Sequence, residues 1–254
     1  MDYPRSINAG SKRSDNTNVG AVYPVKGMTT DANTAPAIPG YLQDIYRWAY
    51  LDNRNARLLD REVIVKAILW GQHNRLRQAA FDEIRPGQKV LQAACVYGQF
   101  SPALAQHIGD DGHLEVVDVA AVQVNNCRRK LKNYQNAEVR HQNVMHLRDY
   151  EVDIACSYFL LHEVPDEGKS DVANVLLDSV KVGGKAVFVD YHKPHWANPL
   201  KYITSLVFET LEPFAKGLWH KEIAEYGGNN SCFEWHKEIY FGGLYQKVVA
   251  TRLS

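Results

Sequence analysis

Between Pro86-Gly87 and Asp190, short apolar runs alternate with stretches of helical periodicity, and this alternation limits the chain to few architectures. The runs Lys89 to Ala94, His113 to Asp118, Glu138 to Gln142, Val152 to Ser157 and Lys185 to Asp190 read as strands. Helices are expected to start near Ser101, Val122 and Glu167. Parallel neighbours need a crossover between them, so the pattern predicts a doubly wound α/β fold with a mostly parallel sheet covered on both faces. Two β-rich runs around Gly242-Gly243, within Cys232 to Ser254, predict an antiparallel hairpin that brings the sheet to seven strands.

The first strand runs into Cys95-Val96-Tyr97-Gly98-Gln99-Phe100-Ser101-Pro102, which reads as a tight turn and a helix start. Ser101 suits the N-cap and Pro102 the first helical position, where a missing N–H costs nothing. Such a turn aims backbone N–H groups at a ligand, and ligands of open α/β sheets bind beyond the carboxyl ends of the strands. Tyr97, Asp118, Asn143, Ser157, His162 and Asp190 are therefore expected to converge on one crevice. Asp118 ends the second strand about twenty residues after Gly98, a placement from which a carboxylate accepts hydrogen bonds from ribose hydroxyls. Gly98 is the one glycine of this turn, so close approach of a pyrophosphate is obstructed and a nucleoside without phosphates is preferred.

The flanks differ in texture. Residues 1–40 are rich in Ser, Asn, Thr, Gly, Pro and Ala and read as a flexible tail without the apolar core of a secretory signal. Residues 41–85 carry apolar side chains at helical spacing, from Tyr41, Leu42, Ile45, Tyr46, Trp48 and Ala49 to Leu58, Leu59, Val63, Ile64, Ala67 and Ile68. They predict a cap of two or three helices, with Trp48 and Trp70 serving as core or as a lid over a flat ring. The α/β domain then spans 86–254 and includes an inserted amphipathic helix over 198–220, kinked at Pro213. Its apolar face, flanked by Trp219, Lys201, Lys216 and Lys221, packs on the domain or docks at a membrane surface.

Lys plus Arg and Asp plus Glu number 29 each, so no overall charge draws the chain to nucleic acid. Cys95, Cys127, Cys156 and Cys232 form no C-x-x-C pair, which argues against a zinc knot or disulfide framework and fits a reducing compartment. No run approaches the roughly 20 apolar residues that cross a bilayer.

The Gly98 turn, Asp118 followed by Val119 to Leu131, and Tyr158-Phe159-Leu160-Leu161-His162-Glu163-Val164-Pro165-Asp166 resemble class I S-adenosylmethionine methyltransferases of the ubiquinone and menaquinone C-methylating type. Gln92 stands where that family carries an acid, and Cys95-Val96-Tyr97 where it carries glycines. These departures, with Val116-Val117-Asp118-Val119, Leu160-Leu161-His162-Glu163-Val164-Pro165 and Ile68-Leu69-Trp70-Gly71, resemble the rhodoquinone biosynthesis family.

The resemblance implies a class I methyltransferase-like Rossmann fold and replacement of a ubiquinone methoxy group by an amino group. S-adenosylmethionine would be co-substrate and amino donor, with Mn²⁺ assisting. It places cofactor contacts at Ala94, Cys95, Val96, Tyr97, Gly98, Asp118, Val119, Asn143, Val144 and Ser157. Tyr97, His162 and Gln92 become catalytic candidates, and His162, Asp190 and His192 metal ligands, because Mn²⁺ accepts carboxylate and imidazole. Gln92 would remove a negative charge beside the methionine ammonium and so favour the neutral amine that attacks a quinone carbon. The alternatives are a quinone C- or O-methyltransferase and a scaffold without catalysis. The expected partner is lipid-borne ubiquinone. Peripheral attachment is expected at the cytoplasmic face of a bacterial inner membrane or in a mitochondrion, with self-association left open.

Overall fold

A computed structural model describes residues 36–47, 49, 53–228 and 230–254. Residues 1–35 of the tail expected over 1–40, and Trp48, lie outside the described residues, and Gly40 already belongs to the first helix.

The sheet follows from the alternation of apolar runs. β1 (Lys89–Ala93), β2 (His113–Asp118), β3 (Ala137–His141), β4 (Val152–Tyr158) and β5 (Val180–Tyr191) run parallel, and β6 (Phe233–Tyr240) and β7 (Tyr245–Arg252) form the closing antiparallel hairpin. The spatial order is β3-β2-β1-β4-β5-β7-β6, with β7 antiparallel to β5. The chain moves outward from β1 to β3 and then returns to β4, so a crevice opens beyond the carboxyl ends of β1 and β4. This is the expected seven-stranded class I methyltransferase-like fold.

Strand periodicity of two divides the core into two layers. Val90, Leu114, Val116, Ile154, Cys156, Val187 and Val189 pack on one face with α4 (His73–Phe81), α5 (Phe100–Ile108) and α6 (Ala121–Leu131). Leu91, Ala93, Val117, Ala155, Ala186 and Phe188 pack on the other, against α7 (Asp166–Asp178). Gln92 shares its parity with Val90 and therefore points toward α5 instead of into the crevice.

Among the described residues four short helices precede β1, where two or three were expected: α1 (Gly40–Asp44), α2 (Asn53–Leu59), α3 (Glu62–Ile68) and α4. α5 begins two residues earlier than expected, at Phe100 instead of Pro102. Gln99 is its N-cap residue and makes no side-chain cap bond, while Ser101 and Pro102 lie inside the first turn. Ser101 is not the cap because its Oγ takes a hydrogen bond from Gln92 Nε2 at 2.9 Å. Pro102 is tolerated because first-turn N–H groups have no intrahelical acceptor. The inserted segment forms α8 (Leu200–Thr210), stops before Pro213, and continues as a 3₁₀ turn over Ala215–Trp219. Among the described residues no helix is long and apolar enough to cross a membrane.

Candidate functional site

Two strand ends shape the crevice by leaving regular geometry. Ala94 after β1 and Phe159 after β4 adopt left-handed backbone, with φ of 68° and 55°. That conformation costs a non-glycine residue about 1–2 kcal/mol. Each is pinned to a neighbouring strand, Ala94 N–H to Val117 O and Phe159 N–H to Val189 O, both at 2.8 Å. The sharp turns send Cys95-Val96-Tyr97 and Leu160-Leu161-His162 along the wall of a cavity of about 200 Å³.

One end of this cavity is built around Asp118. Its Oδ2 accepts Cys95 N–H and its Oδ1 accepts Ala120 N–H, each at 2.7 Å. Burial pushes its pKa up to about 6, although both N–H groups work against the rise. Tyr97 bridges turn and cap: its hydroxyl donates to Ala49 O and accepts from Gln123 Nε2 at 2.8 Å. Burial raises the Tyr97 pKa, so the phenol stays protonated.

The turn is bolted to the cap from behind. Lys130 Nζ, on α6, donates to Val96 O at 3.0 Å, Gly98 O at 2.9 Å and Asp60 Oδ1 at 2.7 Å. Asp60 Oδ1, just after α2, also accepts Gly98 N–H at 3.0 Å. At φ +76°, Gly98 sits where a side chain would be strained and would press on Val65. Lysine thus satisfies carbonyls of a turn that has exchanged glycines for Cys95-Val96-Tyr97.

At the other end stands an imidazole–carboxylate pair. His162 Nδ1 lies 2.9 Å from Asp190 Oδ1, and Nε2 is left to face the cavity with Glu163 Oε1 at 3.7 Å. Asp190 Oδ2 accepts the backbone N–H groups of Leu161 and His162, and its Oδ1 that of Tyr191. Burial alone would lower the His162 pKa, but the Asp190 carboxylate more than offsets this and lifts it to about 9. Tyr41, Tyr158, Phe159 and Tyr191 supply aromatic wall, and Leu59, Val65, Ile68 and Leu69 of the cap close the remainder.

Of the residues expected at the site, the structure brings Ala94, Cys95, Val96, Tyr97, Asp118, Val119, Asn143, Val144 and His162 to the cavity. Gln92, Gly98, Ser157, Asp190 and His192 are not on its wall. Gln92 is fully buried and braces the turn by donating to Ala94 O at 2.8 Å, so any influence it has acts through the shape of the turn and not through charge beside an ammonium. Gly98 is held by Asp60, and Ser157 is buried inside the sheet.

The expected metal triad does not assemble. Both Asp190 oxygens are consumed by His162 and three backbone N–H groups. His192 turns away, with Nδ1 at 2.8 Å from Gly243 O and Nε2 at 3.0 Å from the Lys237 ammonium, which repels a cation. These residues do not fit Mn²⁺, and no step below is routed through it.

Sequence reasoning missed Glu212, Gln123, Tyr191, Asp60 and Lys130. Glu212 alone left a readable trace, as an acid set in the apolar run Leu211-Glu212-Pro213-Phe214.

Residues 90–184 match the family model described as a methyltransferase domain. The chain is similar to a demethylmenaquinone methyltransferase of Bacillus cytotoxicus, 25% identical over 187 residues, covering 70% of this chain and 78% of that one. A Bacillus cereus protein of the same name is 26% identical over 203 residues, covering 76% and 83%. Among solved structures, an O-methyltransferase family protein from Burkholderia thailandensis superposes with a TM-score of 0.62 at 15% identity, covering 82% of this chain and 62% of that one. The N-methyltransferase NodS of Bradyrhizobium japonicum, in complex with S-adenosyl-L-homocysteine, gives 0.55 at 13% identity, covering 85% and 100%. The sequence matches are thus to a methyltransferase domain over residues 90–184 and to demethylmenaquinone methyltransferases, and the structural ones show the fold.

Proposed function

We propose that the protein is an S-adenosylmethionine-dependent transferase acting on a quinone, and that the group transferred is the cofactor's amine, which replaces a ring methoxy group of ubiquinone. The observation that carries the reading is the two-ended cavity: Asp118 at the carboxyl end of β2, a position suited to accepting ribose hydroxyls, and the buried His162–Asp190 pair opposite it within an aromatic wall. An aromatic wall suits a flat redox ring. Protonated His162 offers a hydrogen-bond donor to the ring carbonyl, where charge builds up as a nucleophile adds.

The exchange balances without an oxidant. An ammonium R–NH₃⁺ and a methoxyquinone give an N-substituted aminoquinone, methanol and one proton. The quinone ring would then take the electron pair released at the donor α-carbon, with the α-proton ending on a quinol oxygen, and water would hydrolyse the resulting imine to an α-keto acid and the free aminoquinol. Methyl transfer to a quinone carbon or oxygen is the second reading, favoured by the similarity to demethylmenaquinone methyltransferases.

A lipid substrate calls for access from a bilayer. Trp196, Tyr202, Ile203, Leu206 and Leu211 are exposed along the α8 segment, and Leu58, Val63, Ile68 and Trp70 along the cap. Lys201 Nζ lies 4.8 Å from the Tyr202 ring centre, an arrangement suited to a headgroup boundary. Ile68 belongs both to this exposed set and to the cavity wall, which supports a membrane surface as the source of the quinone.

The test is transfer from S-adenosylmethionine labelled with ¹⁵N at the amine and ¹³C at the methyl, followed by the mass of the quinone. Gain of ¹⁵N with loss of methanol is expected. Gain of ¹³C selects methyl transfer and overturns the amination reading.

A further inference from the structure

We infer that Glu212, supplied by the inserted segment after α8, is the base of the transfer reaction, working opposite His162 at the substrate end of the cavity. This rests on the transferase reading but not on which group is transferred. Glu212 shares the cavity wall with His162, Glu163 and Tyr191. Its Oε2 is sealed from solvent, and among the described residues the Tyr46 hydroxyl is its one neighbouring side-chain donor. A buried carboxylate with so few donors is costly, by about 1–3 kcal/mol, so a small rotation of the group toward the cavity, where a further donor could reach it, would be favoured when substrate is bound. An ammonium N–H or a quinol O–H at this end of the cavity would be that donor.

The other carboxylates are engaged. Asp118 is held by Cys95 and Ala120 N–H, and Asp190 by His162 and three backbone N–H groups. Glu163 sits against the imidazole, with Oε1 at 3.7 Å from Nε2. The charges acting on Glu212 are His162 and Asp190, with the Tyr46 hydroxyl beside it. Burial raises the Glu212 pKa while His162 and Tyr46 restrain it, which makes the carboxylate a better proton acceptor than an exposed one.

In the amination reading the ammonium gives its first proton to Glu212 and the freed electron pair forms the N–C bond. The ring carbonyl oxygen takes the displaced pair against the His162 N–H. Collapse breaks the C–O bond, and the departing methoxide leaves as methanol with the second nitrogen proton. In a methyl-transfer reading the same carboxylate takes the quinol proton.

The experiment compares Glu212→Gln, Glu212→Asp and Glu163→Gln by S-adenosylhomocysteine binding and by pH–rate profile, with whichever label the wild type transfers. Glu212→Gln is expected to bind the ligand within about twofold of wild type and to lose about 100-fold in rate. At saturating S-adenosylmethionine, where the affinity change at Asp118 does not enter, its profile should lack the acid limb, in which wild-type activity falls as pH drops and Glu212 takes up its proton. Glu212→Asp should recover part of the rate and of that limb. Equal turnover by Glu212→Gln, an unchanged acid limb, a limb lost in Glu163→Gln instead, or ligand binding lost together with rate would each overturn the assignment. A wild type that transfers ¹³C would sink the amination reading alone.

Discussion

The two ends of the cavity are built on different terms. At the Asp118 end the groups are strand ends and turn backbone, locked by Asp118, Lys130 and Asp60 into short hydrogen bonds. At the His162 end the wall comes from 3₁₀ segments, the cap and the stretch after α8, with aromatic surfaces and a solvent-sealed Glu212 oxygen. One end is preorganised by the sheet, and the other is shaped by the cap and the inserted segment. The difference teaches that a parallel sheet can fix where a cofactor lies, while insertions decide what the cofactor meets.

Breaking the lock should give the largest effect. Lys130→Met leaves the nearly buried Asp60 carboxylate with only Arg129, at 3.6 Å, and the Gly98 N–H, and strips two carbonyls of a donor, for a loss of about 3 kcal/mol in unfolding free energy by denaturant titration. Lys130→Arg should recover only part, because a planar fork does not reproduce three converging bonds.

Next comes Asp118→Ala, which frees the N–H groups of Cys95 and Ala120 and removes the expected ribose acceptor. The dissociation constant for S-adenosylhomocysteine, measured calorimetrically, should rise about 100-fold, since hydrogen bonds to a charged group contribute about 1.5–3 kcal/mol each. The same change should leave the exposed α8 face as it was.

A smaller effect follows from pH. Asp118 titrates at about 6, raised by burial. As pH falls through that value the carboxylate takes a proton and loses acceptor capacity, so ligand affinity should drop by up to tenfold per unit below it. The unliganded fold behaves oppositely. A pKa raised on folding contributes stability that is present below the ordinary carboxylate range and is lost as pH rises through about 6. Ligand-induced thermal stabilisation should therefore grow from pH 5 to 7, and a flat response would detach Asp118 from the ligand.

The smallest effect on the fold is expected at the outer surface. Replacing Trp196, Tyr202 and Leu206 together by Ser should change stability by no more than about 0.5 kcal/mol per site, because all three are exposed. Sedimentation with anionic vesicles should fall by about tenfold or more, with turnover of a short-tailed soluble quinone unchanged. Equal sedimentation would remove the membrane from the account.

Legibility in the sequence follows the same division. β2 matches its expected bounds of His113 to Asp118, and Asp118 stands at the predicted strand end, because period-two burial and a polar stop are local signals. The N-cap of α5 was misplaced because the partner of Ser101 is Gln92, nine residues away on another element. His192 failed as a ligand for a similar reason: its neighbours, Gly243 and Lys237, come from the hairpin about fifty residues later. The Lys130–Asp60 bolt joins positions seventy residues apart and leaves no periodic trace. Glu212 was visible only as a lone acid in an apolar run, and nothing local says that the run folds back to His162.

The most direct test is a crystal structure of the protein with S-adenosylhomocysteine. The account predicts the ribose hydroxyls on Asp118, the adenine beside Asn143 and Val144, and the amino group directed toward the His162 and Glu212 end. An adenosyl group bound elsewhere, or an amino group turned away from that end with Glu212 still lacking a further donor, would contradict it.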